Sequence, residues 1–176
     1  MWPRGSLFIV LILPALLASD AQTGGKTLAL RYEAPSGFRR GIGNPQTWIP
    51  DSLDGVIHVY PFRPFHGDLA DEFQRTLFRG WISASYREDS PFDQPTFRSL
   101  NVKGAKAAVA ASFKNLNGGA LREHLRVAVL ASERVALVDI SANSPHAFDR
   151  HRPGFSRLLD SLHVVENDPP AARIPR

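Results

Sequence analysis

The stretch LREHLRVAVLASERVALVDISANS, which spans Leu121–Ser144, decides the fold of this chain. Its Val, Leu, Ile and Ala content predicts two β-strands joined by a tight turn at 131–134. Because side chains alternate between the two faces of a strand, one face of this hairpin is wholly apolar. A symmetric turn pairs Leu130 with Val135, Ala128 with Leu137, Arg126 with Asp139 and His124 with Ser141. A hairpin this apolar needs cover on both faces, so we predict that it is the central element of a layered domain.

The second face of the hairpin becomes polar toward its open end, and this is our tentative ligand-binding site. Its residues are Arg122, His124, Arg126, Asp139 and Ser141. Side chains directly opposite each other on paired strands have Cβ atoms about 4.5–5.5 Å apart. One interpretation is structural, with Arg126 and Asp139 forming a cross-strand ion pair at the sheet rim. The alternatives are an anion pocket built on Arg122, His124 and Arg126, or a serine hydrolase. The chain has no G-x-S-x-G turn and no evident oxyanion hole, so no catalytic residue is assigned.

The composition is that of one ordinary globular domain of 176 residues, 43% hydrophobic and 22% charged. The formal net charge is +4, without a basic run carrying interleaved aromatic residues, so we expect no nucleic-acid partner. Cysteine is absent, which excludes disulfides, thiol catalysis and cysteine-based metal sites. The six histidines show no metal-ligating spacing. We therefore predict neither a metal nor a cofactor.

Residues 1–21 have the pattern of a secretory signal peptide. A short basic opening precedes the apolar run Leu7–Leu17, and the small residues Ser19 and Ala21 fit a cleavage site before Gln22. The apolar run is too short to cross a bilayer, which needs about 20 residues. We expect the chain to be exported to the periplasm or beyond, with no stable membrane anchor after cleavage. An uncleaved anchor is the alternative.

Further elements are predicted on both sides of the hairpin. The predicted strands are Thr27–Glu33, Gly55–Phe62, Phe97–Lys103 and Ala107–Lys114, and the predicted helices are Asp68–Tyr86 and Phe148–Leu162. Ser144 and Pro145 predict the start of the last helix, and Pro153 predicts a kink or a fresh start within it. Phe38–Pro50 is predicted to be irregular, 22–26 a flexible lead-in and 166–176 a disordered tail. The fold class is α+β: a single domain over 27–165, with a mostly antiparallel sheet flanked by two long helices (an α/β/α sandwich).

A second candidate site is an aromatic and proline-rich stretch with a tryptophan nearby in the sequence. The tentative partner-binding residues are Trp48, Tyr60, Phe62, Arg63 and Phe65. Exposed aromatic and arginine side chains of this kind often anchor protein interfaces. If they are buried instead, the stretch is a satellite of the hydrophobic core.

Several of these features together resemble one family. They are Tyr32-x-x-Pro35-x-Gly37-Phe38, a long helix, Val102-Lys103-Gly104-Ala105, the apolar hairpin Val127–Ile140, and a last helix with a Pro, a Phe and Leu-Leu-Asp-Ser-Leu. The chain is similar to the PsbP/Mog1-like α/β/α sandwich family of small exported bacterial proteins. The resemblance implies a non-enzymatic accessory or assembly role, with another exported or envelope protein as partner and no active site to transfer. It leaves the oligomeric state open.

Overall fold

The computed structural model describes residues 27–69, 95–117 and 119–167. Within these ranges it contains nine strands and one complete helix. The strands are β1 (Thr27–Arg31), β2 (Phe38–Arg40), β3 (Gln46–Pro50), β4 (Gly55–Pro64), β5 (Thr96–Ser99), β6 (Ala107–Asn117), β7 (Ala120–Ala131), β8 (Arg134–Ala142) and β9 (His163–Asn167). The helix, α1, is Pro145–Asp160.

Seven of these strands form one antiparallel sheet in the order β2-β3-β4-β8-β7-β6-β5. The predicted hairpin is β7 and β8, in the interior of that order. Its predicted register is confirmed, because Arg126 pairs with Asp139 and His124 pairs with Ser141. At its tight turn Ser132 adopts a φ of 53°. The hairpin is therefore the centre of the sheet, as its two-sided apolar pattern indicated.

Helix α1 covers one face of the sheet by packing on β4, β7 and β8. Its fully buried Phe155 and Leu158 meet the apolar face of the hairpin, where Val127 and Val138 are also fully buried. The predicted start is confirmed: the Ser144 hydroxyl accepts a hydrogen bond from Ala147 N at 3.1 Å, with Pro145 first in the helix. Pro153 lies inside this helix, so the predicted fresh start at that residue is wrong.

The opposite face of the sheet carries a second apolar cluster near the hairpin turn. Its buried members are Phe65, Leu69, Ala111, Phe113, Ala128 and Val135. The predicted helix Asp68–Tyr86 lies outside the described residues, apart from its first two positions. The fold is therefore α+β with a mostly antiparallel sheet, and the second flanking helix stays a prediction.

The segment predicted to be irregular, Phe38–Pro50, instead forms the two-stranded extension β2–β3 at one edge of the sheet. Gly41 N donates to Thr47 O at 2.8 Å, and Gly43 has a φ of 125°, a conformation that favours glycine. The glycines thus make the turn, while Phe38 and Trp48 bring partly buried apolar side chains to the core. The glycines and prolines of this segment indicated an irregular structure, whereas most of them lie in or beside the turn of a β-hairpin.

Two other boundaries differ from the predictions. Strand β5 ends at Ser99 instead of Lys103. After Ser99 the chain reaches the C-terminal strand β9, where Lys103 O accepts a hydrogen bond from Val164 N at 2.8 Å. The C-terminal strand β9 pairs with β1 in a separate two-stranded sheet and extends to Asn167. Residues 166 and 167 therefore belong to a strand, not to a disordered tail.

Candidate functional site

The predicted ligand-binding residues lie together on the face of the sheet opposite α1. Strand pairing places Arg126, Asp139, His58 and Thr47 side by side on β7, β8, β4 and β3. We name these four residues the polar row. His58 Nδ1 lies 3.0 Å from the Thr47 hydroxyl. Because that hydroxyl donates its own hydrogen to Pro45 O, its oxygen can accept a hydrogen bond from the imidazole N–H. The row thus places one carboxylate between two basic side chains, with a neutral hydroxyl at its far end.

Arg126 and Asp139 form a buried ion pair at one end of this row. Arg126 Nη2 donates to Asp139 Oδ2 at 3.2 Å, and the two side chains are only 5% and 3% exposed. The prediction that this pair lies at the sheet rim is wrong, because β4 and β6 extend the sheet on both sides of the hairpin. Burial raises the pKa of Asp139, against the lowering effect of the Arg126 charge and its hydrogen bond.

His124 is a neutral core residue at ordinary pH. Its ring stacks on Phe113 with centroids 4.9 Å apart and planes 7° apart, and the residue is buried. Burial first, then the charges of Arg126 and Arg122, lowers its pKa from 6.5 to about 4. A histidine that resists protonation in this way is a poor ligand for an anion.

The Ser–His–Asp arrangement of a hydrolase is not assembled by these residues. Ser141 is half-buried and lies opposite His124, but the hydrogen bond of the Asp139 carboxylate goes to Arg126 and not to His124. Arg122 is half-buried beside them. None of the four cavities that the described residues line includes His124, Asp139 or Ser141. Within the described residues, the polar end of the hairpin is therefore packed as core, and none of these cavities opens onto it.

The aromatic stretch divides between core and surface. Phe62 is buried in the core that includes residues of α1, and Phe65 is buried in the cluster on the other face. Trp48 and Tyr60 are half-buried, and Arg63 is exposed. The predicted partner-binding surface is thus reduced to the residues that flank the two buried phenylalanines.

An apolar groove opens between β1 and β4, next to this stretch; we name it the β1–β4 groove. It has a volume of about 310 Å³. Its described lining is Leu28, Ala29, Leu30, Gly43, Asn44, Gln46, Val59, Tyr60, Pro61 and Phe62. The Tyr32 hydroxyl hydrogen-bonds Gln46 Oε1 and accepts from Trp48 Nε1 at 3.1 Å, which fixes one end of the groove. Ile42, one residue before the lining glycine, is fully exposed.

A second polar group joins the β3–β4 loop to α1, and we name it the Asp54 network. Asp54 Oδ1 lies 2.6 Å from His151 Nε2 and accepts from the Ser52 hydroxyl at 2.5 Å, while Arg150 Nη2 donates to Asp54 Oδ2 at 2.6 Å. The hydrogen bond from Ser52, followed by that from His151, lowers the pKa of Asp54 to about 2.

The Asp54 network is not a catalytic triad, although it contains a serine, a histidine and an aspartate. His151 presents the same nitrogen, Nε2, to both Asp54 and Ser52, whereas a relay needs one ring nitrogen for each. An aspartate with so low a pKa is also a weak base. Sequence analysis missed this group because Asp54 and His151 are 97 residues apart and no local motif connects them.

Two features are absent from the described residues: a cluster of metal ligands and a membrane-spanning helix. No three His, Cys, Asp or Glu side chains in these ranges come together as a metal site requires. No helix in the same ranges is both long enough and apolar enough to cross a membrane.

Comparison with known proteins gives fold-level likenesses only. No family model matches the chain, and no curated protein matches it. LpqN of Mycobacterium tuberculosis, described as involved in cell envelope biogenesis, has 12% identity and a TM-score of 0.56, covering 80% of this chain and 85% of its own. The cyanobacterial PsbP of Synechocystis has 15% identity and a TM-score of 0.53, covering 85% of this chain and 99% of its own. The resemblance drawn from the sequence is thus confirmed for the fold.

Proposed function

We propose that this chain, a protein of PsbP-like fold, is an exported accessory module that binds another protein of the cell envelope and performs no catalysis. One contrast in accessibility carries the proposal. His124 and Asp139 are each 2% exposed, whereas the β1–β4 groove opens to solvent beside Ile42, which is fully exposed. The ionisable side chains of the hairpin are enclosed, and the apolar groove faces solvent.

The groove suits a short segment of protein with an apolar anchor. Its lining includes Leu28, Leu30 and Val59, and contiguous apolar surface of this kind is typical of interaction sites. Burial raises the pKa of the Tyr32 phenol, and Arg40 lies close enough for its charge to act against that rise. Arg63 is exposed and follows the lining residue Phe62 in the sequence. The partner that fits is an apolar side chain flanked by acidic residues.

The cellular setting is supported by two independent observations. Residues 1–21 have the pattern of a cleaved signal peptide. One protein of similar fold, LpqN, is described as involved in cell envelope biogenesis. Mass analysis of the exported chain tests this part: we expect an N-terminus at Gln22, and a chain retained in the cytoplasm at full length would contradict it.

Site-directed photo-cross-linking in the producing cell tests the proposed surface. Benzoylphenylalanine in place of Ile42 should form one dominant adduct with an envelope protein, since Ile42 stands beside the groove. The matched control is the same group at Ser156, which is exposed on α1. Tyr60→Ala and Arg63→Glu, which alter the groove and its flank, should each abolish the adduct. Equal adducts from Ile42 and Ser156, or an adduct unchanged by Tyr60→Ala and Arg63→Glu, would contradict the proposal.

The absence of catalysis is tested separately with the purified chain. We expect no turnover of small chromogenic esters above that of the Ser141→Ala and Ser52→Ala variants. Turnover that either substitution removes would replace the accessory role with a hydrolase.

A further inference from the structure

A separate cavity of about 250 Å³ lies on the α1 side of the sheet, near the edge strand β5. Because α1 packs on β4, β7 and β8, it leaves part of β5 and β6 open on this face. The first turns of the helix then form one wall, with Phe148 and Arg152. We name this cavity the β5–α1 cleft. It shares no lining residue with the β1–β4 groove.

The floor of the cleft is apolar, and its sides carry two hydroxyl groups and the Glu123 carboxylate. Leu125 and Phe148 are buried, which gives a fixed apolar surface. Strand pairing sets Thr96, Ser112 and Leu125 in one line across β5, β6 and β7. Both hydroxyl-bearing residues therefore stand next to the apolar floor, on the face that looks toward α1.

Two of the basic side chains around the cleft are paired with carboxylates. Lys114 Nζ lies 4.0 Å from Glu123 Oε2, and Arg152 is paired with Asp149. Arg98 also lines the cleft, and it forms no ion pair with a described residue. Among the described residues around the cleft, three cations face two carboxylates, and the cation left without a carboxylate is Arg98.

We propose that the β5–α1 cleft binds a small organic monocarboxylate. The acid group lies against the Arg98 guanidinium and the hydroxyls of Thr96 and Ser112, and the apolar body lies on Leu125 and Phe148. A guanidinium can hold a carboxylate through two parallel hydrogen bonds, which favours this anion over a spherical one. The cleft is slightly smaller than typical sites for drug-sized ligands, about 300–1,000 Å³, so the acid is small. This site goes beyond the proposed protein-binding function and uses a different surface.

The experiment titrates the exported chain with defined probes and follows the amide resonances of β5, β6 and α1. The probes are 4-methylpentanoate, its neutral amide and inorganic sulfate. We expect saturable binding of the acid at millimolar concentration, at least tenfold weaker binding of the amide, and no competition by sulfate. Arg98→Gln should weaken the acid at least about tenfold, as for loss of a charged hydrogen bond. Arg157→Gln, on the outer side of α1 where Arg157 pairs with Glu33, should leave it unchanged.

Three results of the titration with the unchanged chain would overturn the inference. They are an acid that does not saturate, an amide that binds as well as the acid, and sulfate that competes as a mere counter-ion would. Thr96→Val provides a second test that keeps every charge in place, and it should weaken the acid without changing the urea midpoint. Equal affinity in Arg98→Gln, with an unchanged unfolding midpoint, would also remove the site.

Discussion

The Arg126–Asp139 pair and the Asp54 network use the same residue types in two opposite ways. In the sheet, Asp139 is almost completely buried and burial raises its pKa. At the junction of the β3–β4 loop with α1, Asp54 keeps 21% of its side chain exposed, and its hydrogen bonds lower its pKa to about 2. Solvent access decides the direction of the pKa shift. Desolvation dominates at Asp139, and hydrogen bonding dominates at Asp54.

The comparison shows why a pattern of Ser, His and Asp is weak evidence for catalysis in this chain. The sheet group has its carboxylate committed to Arg126, and the surface group directs one imidazole nitrogen at both partners. Neither group supplies a base aligned with a nucleophile. In both places the polar residues stabilise the fold, but we expect the buried pair to affect the free energy of unfolding much more than the Asp54 network does.

The largest expected effect follows from removing one member of the buried pair. Asp139→Ala leaves the Arg126 guanidinium buried without its carboxylate, which should lower the free energy of unfolding by about 3–5 kcal/mol. Urea denaturation monitored by tryptophan fluorescence measures the change. A loss below about 1 kcal/mol would mean that the pair is hydrated, as on a surface.

The double variant Arg126→Met with Asp139→Leu is the matched control. It removes both charges and keeps apolar volume, so it should recover most of the stability that Asp139→Ala loses. If the double variant stays as unstable as Asp139→Ala, the loss has a cause other than an uncompensated buried charge.

A smaller effect is expected where α1 meets the chain before β2. A Cβ at Gly154 would lie 2.8 Å from Ser36 O and 3.1 Å from the Phe38 ring. Gly154→Val should therefore destabilise by about 1–3 kcal/mol through overpacking, and it should also disturb the contact of His151 with Phe38. Ser156→Val, exposed on the same helix, should change the urea midpoint very little.

The smallest effect concerns Asp54 and depends on pH. Its pKa is lower in the folded chain, about 2, than its ordinary value of 3.8, so its contribution is complete above 3.8 and is lost as the pH falls toward 2. Because this site is partly exposed, Asp54→Asn should cost at most about 1 kcal/mol at neutral pH. Stability curves of the two proteins should converge at low pH, and a constant gap down to pH 2 would contradict the assignment.

What the sequence predicted well was local. The β7–β8 register follows from alternating apolar residues about a short turn, and the start of α1 follows from Ser144 and Pro145. What it missed depends on distant parts of the chain. The burial of Arg126 requires β4 and β6 on either side, and the pairing of β9 with β1 joins the two ends of the described chain. Neither can be derived from periodicity within a single segment.

The candidate sites show the same division. The sequence grouped the five hairpin residues on one face, and the structure places them there but encloses the central three. It also grouped Phe62 with Tyr60 and Arg63, although the pairing of β4 with β8 shifts register between Tyr60 and Arg63, and of these three side chains only Phe62 is buried. Composition reveals which groups are available, whereas exposure is decided by packing between elements.

The most direct test of the central claim is an NMR titration of the His124 imidazole in the folded chain. The claim is that the polar end of the hairpin is core and not a ligand site. It predicts that His124 stays neutral until the pH falls to about 4. Because the unfolded chain takes up that proton near 6.5, stability should also fall as the pH drops between these values, and His124→Gln should remove this component. Titration of His124 near pH 6.5, together with ready access of a soluble quencher to its ring, would contradict the account.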